Sequence, residues 1–171
     1  DGWSAAFQSD PSMSEGHRLN GAQLLYLPGR AGLLLTTGYD ATISIWDASI
    51  DQPGAGHQVA QLRDVGLLNT FAASSDGELL MTSASPNEAR LWRIDTILNV
   101  ANPEPVRKFS GIDEKPVSAL AISPGKTHFA AGTRGGTLAI WNGSTKKPAF
   151  IRRQAHSRST VSAVEFIDDS H

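Results

Sequence analysis

The sequence predicts an all-β fold built as β-propeller blades of four-stranded antiparallel sheets in an incomplete ring. Two observations carry that expectation. The triplets Ile45-Trp46-Asp47, Leu91-Trp92-Arg93 and Ile140-Trp141-Asn142 recur with their tryptophans 46 and then 49 residues apart, a period that suits propeller blades and larger helical repeats. Short alternating segments bounded by Gly, Pro, Asn and Asp fill the period, and they argue against the helical option.

The elements run in chain order. Residues 1–15 hold one apolar run, Trp3-Ser4-Ala5-Ala6-Phe7, then a polar link through Asp10-Pro11-Ser12, read as the end of a preceding blade. The first complete unit, 16–64, predicts strands over 22–27, 33–37, 42–46 and 58–62. In its third strand Ile43 and Ile45 share one face while Thr42, Ser44 and Trp46 share the other. The second unit, 65–111, repeats this order, with Ser75-Asp76-Gly77 and Pro86-Asn87 as turns and Val106 to Phe109 as its outer strand. Between its third and fourth strands lies an insertion, Asp95 to Pro105, where a short helix starts near Ile97-Leu98 and Pro103 and Pro105 stop it. The third unit, 112–155, turns at Ser123-Pro124-Gly125 and Arg134-Gly135-Gly136, and a fourth, 156–171, begins with the strand Val161 to Phe166.

Bulk properties exclude several classes. With 171 residues, 40% hydrophobic and 19% charged, the chain has the composition of an ordinary globular domain. A net charge of −2 supplies no global field for a polyanion, so nucleic acid is not an expected partner. No apolar run approaches the roughly 18 residues needed to cross a bilayer. The absence of cysteine removes disulfides, thiolate metal sites and cysteine nucleophiles, and fits a cytoplasmic protein. The chain opens on Asp1 instead of methionine and reads as a piece of a longer polypeptide.

From Gly16 to Phe166 the chain resembles the WD-repeat family of β-propellers. That family's unit runs Gly-His, an alternating strand, Ser-Pro-Asp-Gly, an apolar strand, Gly-x-x-Asp, and a strand ending Trp-Asp. The first unit matches at Gly16-His17, Thr36, Asp40 and Trp46-Asp47. The resemblance implies a tetrad in which Asp40 holds His17, His17 meets Thr36, and Thr36 reaches the Trp46 indole. Such a network satisfies both nitrogens of a buried imidazole. The second unit departs at Asp64 and Pro86 and the third at Ile112 and Gly135. Those two units therefore lack the tetrad and keep Trp92 and Trp141 as packing residues. A histidine returns in Ala155-His156.

His17, Thr36 and Asp40 have the residue types of a catalytic constellation, but they belong to the repeat scaffold and no nucleophile elbow or metal pair accompanies them. Gly132-Thr133-Arg134-Gly135-Gly136 lacks a following Gly-Lys-Ser/Thr and leads into a strand, so it reads as a hairpin turn. No catalytic residue, cofactor or metal is expected. The expected function is a non-catalytic protein-interaction scaffold, with the remaining blades on further residues or on a partner chain. The resemblance places exposed binding positions at the start of each inner strand and before the loop aspartate: Asn20, Ala22, Leu67, Asn69, Pro116, Ser118, Thr160 and Ser162, with Tyr39, Ser85 and Arg134 from the other loop. Tyr and Arg are frequent interface anchors.

Two alternatives come from other classes. One is recruitment to phosphoinositide membranes through Arg152, Arg153 and Arg158, near a pattern resembling Phe-Arg-Arg-Gly that Ile151 and Gln154 break. The other is a targeting or regulatory module of a larger enzyme. For the tetrad, Asp40→Ala is expected to lower folding stability by about 1–3 kcal/mol through an unsatisfied buried partner while leaving partner selection intact. Chemical denaturation beside a binding assay checks it, and lost binding at unchanged stability would contradict the structural role.

Overall fold

The computed structural model of the chain describes residues 21–38, 40–49, 56–63, 70–84, 87–145, 147–157 and 159–168. The expected strand Trp3 to Phe7 and most of the Pro53 to Gly56 loop lie outside them. Among the described residues twelve strands form three four-stranded antiparallel sheets, each ordered as the chain runs. The first contains β1 (Gly21–Tyr26), β2 (Leu33–Gly38), β3 (Thr42–Asp47) and β4 (Gln58–Arg63). The second contains β5 (Phe71–Ala73), β6 (Leu79–Ala84), β7 (Glu88–Arg93) and β8 (Arg107–Phe109). The third contains β9 (Val117–Ile122), β10 (His128–Thr133), β11 (Leu138–Asn142) and β12 (Phe150–Arg152).

Hairpin chemistry sets these sheets. In the β5–β6 turn the Ser74 hydroxyl donates to Asp76 at 2.6 Å and accepts Leu79 N–H at 2.9 Å, while Asp76 accepts Glu78 N–H at 3.1 Å. Gly77 closes that turn at φ +68°. The β9–β10 turn repeats the arrangement, with Ser123 Oγ accepting His128 N–H at 3.0 Å. Here Lys126 takes the left-handed position at φ +59°, a conformation that L-residues other than Asn and Asp rarely adopt.

The sheets stack as consecutive propeller blades, and every junction pairs the same two faces. Leu35, Ile43, Ile45, Ala60 and Leu62 of the first sheet pack with Leu80, Trp92 and Ile94 of the second. Met81, Ala89, Leu91 and Phe109 of the second then pack with Leu120, Phe129 and Trp141 of the third. Phe109 is fully buried, its ring centroid 5.2 Å from Phe129 and 5.1 Å from Trp141. The second sheet is therefore covered on both sides, Leu80 packing against the first sheet and Met81 against the third, and β6 is buried from Leu80 to Ala84 without a break. Alternation separates the two faces of a strand without saying that both are dry.

Two elements differ from the sequence expectation. The insertion forms α1 (Ile94–Asn99), which begins directly after β7 instead of near Ile97, because Ile94 and Ile97 lie on one helical face and bury in the core between the first and second sheets. Val161 to Phe166, expected as a strand, joins no ladder among the described residues. It lies against the third sheet, where Val161 N–H donates to Thr133 O at 3.0 Å and the Ser118 hydroxyl donates to Val161 O at 2.7 Å.

Polar contacts tie the same loops together. Arg30 of the β1–β2 turn bonds Asp95 of α1 at 2.7 Å, which holds the guanidinium above and the carboxyl below their ordinary pKa values. Lys126 bonds the Asp76 carboxylate and, at 2.8 Å, Glu78. A Cβ on Gly29 would lie 2.7 Å from Asp76 O, so the first two turns touch backbone to backbone.

Lys126, Ser74 Oγ and Glu78 N–H hold the Asp76 carboxyl well below the usual carboxylate range. A depressed pKa adds stability that is present above the unfolded value of about 4 and lost as pH falls through the folded one. Partial exposure screens the effect. Asp76→Asn is thus expected to be less stable than the wild type at neutral pH and to lose less on acidification below about pH 4. Thermal unfolding across pH at constant ionic strength measures this, and parallel curves would contradict it.

Candidate functional site

The tryptophan at the third strand of each sheet is a packing residue, and in the first two sheets it is also a hydrogen-bond donor. Trp46 Nε1 donates to Thr36 Oγ1 at 2.7 Å and Trp92 Nε1 donates to Thr82 Oγ1 at 3.0 Å. Both acceptors sit ten residues before their indole, on the adjacent strand and the same face, which β2–β3 and β6–β7 registers enforce. The second sheet thus retains half of the expected network despite Asp64 and Pro86. The Thr at that spacing was a signal available in the sequence. In the third sheet the same position is Ala131, and the fully buried Trp141 Nε1 has no hydrogen-bond partner.

Asp40 lies at the turn between β2 and β3, where its Oδ1 accepts the Thr42 hydroxyl at 2.7 Å and Thr42 N–H at 3.2 Å. His17 lies outside the described residues, as do Asn20, Tyr39, Leu67, Asn69, Ser85 and Arg158. The Asp47 carboxyl is held below its ordinary value first by the Ser49 hydroxyl and then by Ser49 N–H, which donates to Asp47 Oδ1 at 2.9 Å.

A second carboxylate organises the loops of the third sheet. Asp113 Oδ2 accepts the Thr133 hydroxyl at 2.8 Å, and Asp113 Oδ1 accepts Lys115 N–H at 2.7 Å. Its backbone carbonyl accepts Asn87 Nδ2 at 2.6 Å from the turn of the second sheet. Thr133 Oγ1 in turn accepts the N–H groups of Gly135 and Thr137, each at 3.2 Å. Arg134 N–H donates to Pro116 O at 2.9 Å, and Gly136 completes the turn at φ +82°. The result is a pinned platform under the exposed Arg134 side chain. Asp113, adjacent to the Ile112 that departs from the family pattern, is a residue that sequence reasoning did not single out.

The remaining expected face residues divide. Pro116, Thr160 and Ser162 are exposed. Ser118 is half-buried and spends its hydroxyl on Val161 O, joining the third sheet to the segment beyond it. Of the basic cluster, Arg152 ends β12 and Arg153 starts the next turn, both exposed. Among the described residues no three His, Asp or Glu side chains converge as a metal site, and no helix is long and apolar enough to cross a membrane.

A protein-family model described as "WD domain, G-beta repeat" matches residues 103–142. Target of rapamycin complex subunit LST8 of Saccharomyces cerevisiae is 27% identical over 125 residues, covering 73% of this chain and 37% of that protein. Eukaryotic translation initiation factor 3 subunit I of Drosophila willistoni is 27% identical over 127 residues, covering 71% of this chain and 35% of that protein. The chain spans about a third of the length of these relatives.

Trp92 and Trp141 supply a direct comparison of satisfied and orphaned indoles. Thr82→Ala is expected to cost about 1–3 kcal/mol, and Ala131→Ser to gain roughly 1 kcal/mol by giving Trp141 an acceptor. Serine adds a single heavy atom to a packed position, which limits overpacking. Chemical denaturation of both variants checks the pair, and a destabilising Ala131→Ser would show that packing outweighs the new bond.

Proposed function

We propose that this chain is a WD-repeat propeller segment that acts as a non-catalytic protein-interaction scaffold, a reading supported by three blades stacked in one repeating junction and by the WD-repeat model matched at residues 103–142. It forms a propeller segment of a larger protein or complex in the cytoplasm. The observation that carries this reading is the pinned platform between the second and third blades. Asn87, Asp113, Thr133 and Pro116 immobilise the loops on which Arg134 is displayed. Preorganised loops lower the ordering cost of association.

Two features support the reading. The two relatives are each named as a subunit of a larger assembly. The Thr36 and Thr82 hydroxyls hold indoles and the Thr133 hydroxyl holds a turn, contacts that favour rigidity. The proposed contact face comprises Arg134 with Tyr39, Asn20, Leu67, Asn69 and Ser118, in which Ser118 acts through its bond to Val161. Further blades adjoin the outward faces of the first and third sheets. Leu24 and Tyr26 of β1 are 65% and 58% exposed on the first of these faces.

The test compares affinity purification of the wild-type protein with that of the Tyr39→Ala/Arg134→Ala variant, with thermal unfolding as a folding control. The expected outcome is loss of one or more partners at unchanged melting temperature. An unchanged partner set would remove this face as the interaction surface.

A further inference from the structure

The three outer strands place non-equivalent residues at equivalent positions. Register pairs the residue three before each conserved tryptophan with one on the outer strand: Ile43 with Leu62, Ala89 with Phe109, and Leu138 with Arg152. The residue one before each tryptophan pairs in the same way: Ile45 with Ala60, Leu91 with Arg107, and Ile140 with Phe150. Opposed residues in an antiparallel ladder share a face. That face is the one each sheet turns towards its successor, and at the two formed junctions the first of these outer-strand positions is closed, Leu62 being 3% and Phe109 0% exposed, while the second holds the buried Ala60 and the half-buried Arg107. On the third sheet Arg152 stands exposed where Leu62 and Phe109 are buried, and Phe150, in the place of Ala60 and Arg107, is 48% exposed.

Something already begins to cover this third face. Val161 lies over Gly132, close enough that a Cβ there would collide with its methyl group, and its backbone bonds Thr133 and Ser118. Phe166 reaches His128, with ring centroids 6.4 Å apart. Residues 161–166 therefore run onto the face from its inner edge, as β9 runs onto the second sheet. The outer half, Leu138, Ile140, Phe150 and Arg152, is left open among the described residues.

We propose that this open half docks a fourth four-stranded blade whose inner strand is Val161 to Phe166, and that Arg152 fills the junction by stacking its guanidinium on an aromatic ring of that blade. The inference rests on the propeller reading above and adds the chemistry of one junction. At the preceding junction Phe109 meets an indole at 5.1 Å, so the position faces an aromatic ring of the following sheet. The same outer strand already pairs a cation with a ring, since Arg107 Cζ lies 5.6 Å from the Phe109 centroid. A guanidinium can replace a phenyl ring there by cation–π attraction while its stem covers Phe150. Arg152 and Arg153 are then separate in role: the first belongs to the junction and the second to solvent.

The experiment uses the full-length protein that contains this chain. Hydrogen exchange reports on β12, and arginine modification by phenylglyoxal, read by mass spectrometry, reports on the two arginines. The expected result is a protected β12 with Arg152 modified roughly tenfold or more slowly than Arg153. Arg152→Leu should preserve cooperative unfolding, Arg152→Glu should weaken it, and Arg153→Glu should leave it unchanged. Protection of β12 with equal modification of both arginines would overturn the role of Arg152 and leave the propeller reading standing. An unprotected β12 would overturn both. Equal loss of binding to phosphatidylinositol bisphosphate vesicles in Arg152→Glu and Arg153→Glu would assign the pair to an anionic headgroup and overturn the junction.

Discussion

The packing of one sheet's outer strand onto the next sheet's tryptophan strand is the constraint on which this structure depends. The two large cores are each shared between neighbouring sheets, and among the described residues only Leu34, Trp46 and Ala48 cluster within a single sheet. Burial of apolar area drives the association, so cohesion in such an array is a nearest-neighbour quantity. Phe109 shows the principle in one residue. It belongs by sequence to the second sheet, yet its ring contacts, Phe129 and Trp141, belong to the third.

That constraint explains where polar groups are tolerated. A buried indole carries an N–H that costs free energy if left unpaired. Thr36 and Thr82 meet the need locally, from the neighbouring strand of the same sheet, so the solution does not depend on how the sheets dock. The third sheet dispenses with it and packs Ala131 instead. Its loops gain a different device in Asp113, which binds Thr133 within the sheet and Asn87 from the preceding one. Polar order has moved from the middle of the sheet to its loop end.

At the opposite loops, close backbone approach and charge reinforce the apolar junctions. The first two turns meet through Gly29 and Gly77, where any side chain would collide with the neighbouring turn. The second and third meet through Lys126 with Asp76 and Glu78. Lys126 occupies a left-handed position that Gly77 fills in the preceding turn, so backbone strain is exchanged for a cation placed between two carboxylates. Such contacts set the relative placement of sheets more than their total stability, since exposed ion pairs contribute little.

The sequence by itself determined the strand pattern, the turns and the repeat. Those features are local: a two-residue alternation, turn residues at fixed offsets, and an indole returning at each third strand. Hence the three sheets and their order emerge from reading Trp46, Trp92 and Trp141 in register. Thr82 stands at the same ten-residue spacing from Trp92 as Thr36 from Trp46, a regularity that reading Trp92 as a packing residue alone passes over. Tertiary structure alone decided what lies between sheets. Docking buries both faces of β6, starts α1 at Ile94 by giving Ile94 and Ile97 a shared core, and brings Asp113 under Thr133. Each of these depends on residues distant in sequence meeting at a junction, and no local pattern encodes which partner a junction will supply.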